Sequence, residues 1–241
     1  MVLCLTIVNY SKASDGVRFE TKDNGSTITR TYDIDNFNEI YSTVVADVIF
    51  TQTTNGSSSL RITGSKLSVS RICVSVIEGV LRIENQYDDS SRSKRKDDVV
   101  KIYVSAPTIR RIENLGVGNI NINNSLKVST LTLVSKGVGN ISISNLTCGE
   151  LFADLRGVGN IKLEGKATDA TMSLRGVGDI KAYDLEVKNL TVDSRGVGNV
   201  ECYATKSIYA TSRGIGGVVY KGEPKDSEIV SKGMGSIRHK R

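Results

Sequence analysis

Along most of the chain apolar and polar residues alternate, and long runs with the 3.6-residue period of an amphipathic helix are not found. Leu131 and Leu133 flank Thr132, Leu151 and Ala153 flank Phe152, Leu190 and Val192 flank Thr191, and Ile208 and Ala210 flank Tyr209. The same alternation resumes some ten residues on in Ile141/Ile143, Ile161/Leu163, Ile180/Ala182, Val200/Cys202 and Val218/Tyr220. Each such segment is a strand with one buried face. Between the strands lie glycine pairs separated by one apolar residue, and these mark bends.

The glycine pairs recur seven times, beginning at Gly116, Gly137, Gly157, Gly176, Gly196, Gly214 and Gly233, with spacings of 21, 20, 19, 20, 18 and 19 residues. A unit of strand, bend and strand leaves no room for a helix of three turns. Alone it cannot bury its apolar face, but stacked copies can, each strand pairing with its counterpart at about 4.8 Å. The pattern therefore predicts an all-β chain, a single elongated parallel β-helix or β-solenoid with coils of about 20 residues.

Aligned on the glycines, the repeat resolves into columns. Asn119, Asn140, Asn160, Asp179, Asn199, Gly217 and Ser236 follow the second glycine and read as corner residues tolerant of the left-handed region. A stacked amide ladder is the alternative, disfavoured because Gly217 would interrupt it. Between the glycines stand Val117, Val138, Val158, Val177, Val197, Ile215 and Met234. Strict alternation points these residues outward, but a bend can reset the facing, and the favoured reading is an inward ridge filling a corner of the core. An outward ridge would be an adhesive face for a partner.

The position before the glycines holds Leu115 and then Lys136, Arg156, Arg175, Arg195, Arg213 and Lys232. Cations one strand spacing apart repel by under roughly 1 kcal/mol per pair in water. As plain surface they form a solvated edge that resists sheet addition. As a site they are a basic stripe for an extended anionic polymer, partly neutralised by Asp154 and Asp193.

The N-terminal third lacks the glycine code but keeps the alternation. STVVADVIFTQ, SSLRITGSKLSV, RICVSVIEGVLRIENQ and DVVKIYVSAPTIRRIENL read as strands, with turn signals at Asn24-Gly25 and Asn55-Gly56. The organisation expected is an N-terminal segment over 1–29, irregular β coils over 30–115 and the regular solenoid over 116–237, continuous with those coils. The segment from Asp88 to Asp98, DDSSRSKRKDD, reads as a solvated charged loop. MVLCLTIVNYSKASDG at the start lacks a basic n-region and reads as a truncated export signal or a first strand. Leu3 before Cys4 is too large for a lipoprotein signal.

Composition narrows the chemistry. A core poor in aromatics (5%, with no Trp) must be aliphatic, and the net charge of +6 admits polyanions as partners. Nucleic acid is not expected, because the basic residues are not interleaved with aromatics and the known helical or zinc-based readers are missing. No apolar stretch is long enough for a transmembrane helix. Cys4, Cys73, Cys148 and Cys202 lie far apart and read as buried, inert thiols.

The single histidine, His239, stands in the terminal SIRHKR, so triad and His-metal chemistry lack a base or ligand in the body of the fold. No cofactor or metal is expected. A dinucleotide fingerprint needs a third glycine and a following helix, and GVGNIKLEG offers a strand instead. A carboxylate-only polysaccharide-cleaving site would draw on Asp154, Asp179 and Asp193, which fall in two columns on different coils.

GVGNI at Gly116, Gly137 and Gly157, GVGDI at Gly176 and GVGNV at Gly196, with the degenerate copies GIGGV and GMGSI, resemble the bacterial auto-transporter adhesin head-domain family, or GIN domain. YDIDNFNEIYSTVVADVIFTQ is similar to its opening strands, and the resemblance covers roughly residues 30 to 237. It implies a β-helical fold shaped like that of pectin lyases without their catalytic residues. It also implies a non-enzymatic, adhesive role outside the cytoplasm, at the periplasm or cell surface. Family members commonly begin with an export or lipoprotein signal, which this sequence has at best in truncated form. The partner expected is an anionic polysaccharide or a cell-surface protein. A carbohydrate-active enzyme and a purely structural envelope spacer are the alternatives.

Overall fold

The computed structural model describes residues 11–12, 17–86 and 100–240. Cys4, the N-terminal apolar run and the charged segment from Asp88 to Asp98 lie outside the described residues. The fold is a β-solenoid of about six turns, with 66% strand and 2% helix.

Its N-terminal part is built from hairpins. Strand β1 (Ser11–Lys12) pairs antiparallel with β2 (Arg18–Asp23), and β2 pairs with β3 (Ile28–Asp33) across the turn at Asn24-Gly25. Gly25 has φ +86° there, and its N–H donates to Asp23 Oδ1 at 2.9 Å. Strands β4 (Glu39–Ser42) and β5 (Asp47–Gln52) form one coil. The chain then runs through β6 (Ser59–Gly64), α1 (Lys66–Ser70), β7 (Ile72–Ile77), β8 (Val80–Asn85) and β9 (Lys101–Ala106).

Strands β8 and β9 stack in parallel on one side of β4 and β5, while β10 (Arg111–Asn114) and β11 (Ile120–Ile122) stack on the other side. Coil order in space therefore departs from sequence order. The outer edge is closed by antiparallel pairings of β7 with β8, β6 with β9 and β3 with β6, where parallel coils were expected. Within SSLRITGSKLSV the strand stops at Gly64. Ser65 caps the five-residue α1 by accepting from the Ser68 N–H at 3.2 Å.

From β10 onward the coils follow one another. Strands β12 (Leu126–Ser135), β13 (Ile141–Leu155), β14 (Ile161–Leu174), β15 (Ile180–Ser194) and β16 (Val200–Ser212) each pair in parallel with the next, with register shifts in the three pairings from β13 to β16. Strands β17 (Val218–Lys221), β18 (Asp226–Ser231) and β19 (Ile237–His239) complete the stack.

The core consists of columns of like residues. Ile120, Ile141, Ile161, Ile180, Val200 and Val218 are all fully or almost fully buried. Adjacent columns trade volume within a coil: Leu151 sits with Ala153 on one, and Ala170 with Met172 on the next, so large and small side chains interlock. Cys148 and Cys202 are core members, and burial pushes their thiols up to about 11 and about 12. Cys73 departs from the expectation of buried thiols. It lies on the solvent face of β7 and is exposed.

Candidate functional site

The glycine bend positions the candidate site. Leu155 and Ile161 are both buried, and they are an even number of residues apart, so alternation runs through the bend without a break. Arg156 and Val158 consequently point outward, and the inward positions fall on Gly157 and Gly159. A Cβ on Gly157 would land on the carbonyl oxygen of Gly137 in the preceding coil, and one on Gly159 on that of Gly139. There is no core volume at this corner for a side chain. The parallel ladder itself continues across the bend, with Val158 N–H donating to Gly137 O at 3.0 Å and Gly159 N–H to Val177 O at 3.0 Å.

This overturns the inward reading of the valine column. Val117, Val138, Val158, Val177 and Val197 are 45–50% exposed, and Ile215 and Met234 are more so. Val45 bridges to Val117 and extends the ridge by one coil into a segment without the glycine code. The result is a straight apolar ridge on the outside of the molecule, a feature that marks interaction surfaces.

The asparagine column also differs from expectation. It is both a corner and a ladder, and it lies at the surface. Asn140 Nδ2 donates to Asn119 Oδ1 at 3.0 Å and Asn160 Nδ2 to Asn140 Oδ1 at 3.0 Å. The backbone N–H of each following coil donates to the same oxygens, and these bonds continue through Asp179 and Asn199 to the Gly217 N–H at 3.0 Å. Because that donor is backbone, Gly217 ends the column without breaking it. The left-handed conformation belongs to the second glycine, at φ +138° in Gly159, and not to the asparagines.

Beside the ridge runs the basic column. Arg156, Arg175, Arg195, Arg213 and Lys232 form one wall of a shallow groove of about 870 Å³, and Val158, Val177, Val197, Ile215 and Met234 form the other. Lys136 lies beyond the groove, with its Nζ 2.6 Å from Glu113 Oε1 on the preceding coil. Burial alone would raise the Glu113 carboxyl, but hydrogen bonds from Lys136 and Arg111 outweigh it and hold the group below its ordinary range.

Charge along the groove is uneven. Arg156 pairs with Asp154 at 2.6 Å and Arg195 with Asp193 at 2.8 Å. Two residues before Arg175, Arg213 and Lys232 stand Ser173, Thr211 and Val230, and among the described residues these three cations have no ion-pair partner. The carboxylates considered for a hydrolytic site are thereby accounted for: Asp154 and Asp193 hold arginines, and Asp179 accepts from the Asn199 N–H at 2.9 Å. Among the described residues no group of His, Cys, Asp and Glu could hold a metal ion, and no helix is long and apolar enough to cross a membrane.

The sequence matches a family described as "Putative auto-transporter adhesin, head GIN domain" over residues 36–224. The chain belongs to this family. The match ends before the seventh glycine pair of this GIN domain, at Gly233. A crystal structure of a "putative adhesin" from Bacteroides fragilis is 37% identical, with a TM-score of 0.85 over 90% of this chain and 98% of that one. A "putative lipid binding protein" from Parabacteroides distasonis shares the fold at 22% identity and a TM-score of 0.70, with the same coverages. A "putative adhesin" from Parabacteroides merdae does so at 21% and 0.62, again over 90% and 98%. No curated protein matches the chain. The family and the Bacteroides fragilis neighbour support an adhesin-like role for this GIN domain.

A second shallow groove escaped the sequence reading. It is lined by Thr171, Thr191 and Tyr209, and Phe152 continues their column in register past the groove's end; the column drew notice there only for its alternation. The available signal was two aromatic residues in an otherwise Thr-rich outward column.

Proposed function

We propose that the protein is a non-enzymatic, extracytoplasmic adhesin whose basic-apolar groove binds an extended anionic polysaccharide. The observation that carries this reading is the set Arg175, Arg213 and Lys232, three cations without carboxylate partners among the described residues, in one groove floored by glycine bends. Acidic groups of the polymer meet these cations, and its C–H faces lie on the ridge of Val177, Val197 and Ile215. Each coil contributes a weak contact, and a polymer that spans several coils adds them. Asp154 and Asp193 tune the stripe by neutralising Arg156 and Arg195, which supports a binding role for them over hydrolysis.

A glycan array read at low and high salt tests the proposal. Acidic glycans are retained at low salt and released at high salt, because exposed charges are screened. Retention of uncharged glycans alone, or none that responds to Arg175→Ser with Arg213→Ser, contradicts it.

A further inference from the structure

The second groove, of about 680 Å³, lies on another face of the same coils. Phe152, Thr171, Thr191 and Tyr209 are direct neighbours in register, so the two rings stand three strand spacings apart, about 14 Å. Tyr209 lines the groove and Phe152 stands just past its end; they are 43% and 41% exposed, and neither ring stacks on another ring among the described residues. Large aromatic faces left to solvent on an otherwise polar sheet are platforms for a ligand that is itself part apolar and part polar.

Alongside the rings runs a polar column in the same register: Glu150, Asp169, Asn189, Ser207 and Asp226. Its centre is held in place by hydrogen bonds, with Asn189 Nδ2 donating to Asp169 Oδ1 at 2.8 Å and Ser207 Oγ to Asn189 Oδ1 at 3.0 Å. Glu150, Asp169, Asp226 and Glu228 all line the groove against a single lysine, Lys225, and none of these carboxylates has an ion pair among the described residues. The face is therefore acidic and repels the polyanions suited to the basic groove.

We infer that this face is a second carbohydrate-binding site, for a glycan strand bearing amino groups and no acidic groups. Sugar rings at either end of the bound stretch stack their C–H faces on Phe152 and Tyr209. The rise per ring of an extended β-linked glycan is close to the rise per coil, so the intervening rings cross Thr171 and Thr191. Ring hydroxyls donate to Asp169 and the Asn189 amide, and protonated amines meet the carboxylates at the groove's edges. The inference does not rest on the anionic-polymer reading, since it uses a different face and the opposite charge.

Calorimetric titration of the whole protein with a β-1,4-linked glucosamine hexamer and with its N-acetylated form tests the site. The glucosamine hexamer binds saturably, and Phe152→Ala and Tyr209→Ala each weaken it at least fivefold while keeping a cooperative melting transition, because neither ring is part of the buried core. Asp169→Asn with Asp226→Asn reduces the preference over the N-acetylated form, and Arg175→Ser with Arg213→Ser leaves binding unchanged. An absence of saturable binding, or wild-type affinity in both aromatic variants, overturns the inference. Loss in the arginine variant alone does so as well.

Discussion

Gly157 is confined by the coil beneath it. Its own backbone lies outside the left-handed region, yet a methyl group there collides with the Gly137 carbonyl, whereas Gly159 faces both a like collision with the Gly139 carbonyl and φ +138°. Gly157→Ala should therefore cost about 1–3 kcal/mol in urea denaturation, the range of overpacking, while Val158→Ser on the open ridge stays within about 0.5 kcal/mol. Alternation from Leu155 to Ile161 points Val158 outward, but it does not decide whether a glycine bend resets the facing, and the inward reading it left open is the one the structure overturns. What alternation could not supply was the reason both inward positions are glycine, since the obstructing carbonyl belongs to residues about 20 positions earlier. Charge can be read residue by residue in the same way. Asp154→Asn with Asp193→Asn releases Arg156 and Arg195, and affinity for an acidic glycan should rise by about threefold to tenfold, given the modest worth of exposed pairs. Cys148 and Cys202, with thiols pushed up to about 11 and about 12, should resist iodoacetamide at pH 8 until denaturant is added, while Cys73 labels in the native protein. Peptide mapping by mass spectrometry distinguishes the three.

At the scale of elements, the ladders connect one coil to the next. Asn140 Oδ1 accepts from both the backbone N–H and the side-chain amide of Asn160, so Asn140→Ala strands two donors and should cost about 1 kcal/mol, softened by solvent access. Glu113 joins β10 to the basic column through Arg111 and Lys136. Its carboxyl is held below the ordinary value of 4.5, so its contribution is present at neutral pH and disappears as pH falls through and below that value. Glu113→Gln should flatten that part of a stability profile recorded from pH 6 to pH 3. The regular strands were legible because identical neighbours repeat in sequence. Strands β6 to β9 were less so, since β8 and β9 pair with strands far earlier in the chain and the antiparallel edges carry no repeat. Ser65 and the helix it caps, within a segment that reads as strand, show a local cap ending an alternating pattern.

At the scale of the molecule, stacking converts single outward positions into continuous surfaces. One arginine per coil becomes a basic wall, one valine a ridge, and one threonine column with two aromatic substitutions a second face of opposite charge. The basic wall was visible in the sequence as a column. Its pairing with the valines into one groove was hidden, because it required the ridge to face out. The most direct test of the account is the affinity of a purified acidic oligosaccharide, such as a galacturonate hexamer, for the wild type and for the variant Arg175→Ser, Arg213→Ser, Lys232→Ser, measured by calorimetry at low and high salt. The account predicts salt-sensitive binding by the wild type and at least a tenfold loss in the variant. Equal affinity in the two proteins, or binding that does not respond to salt, would contradict it.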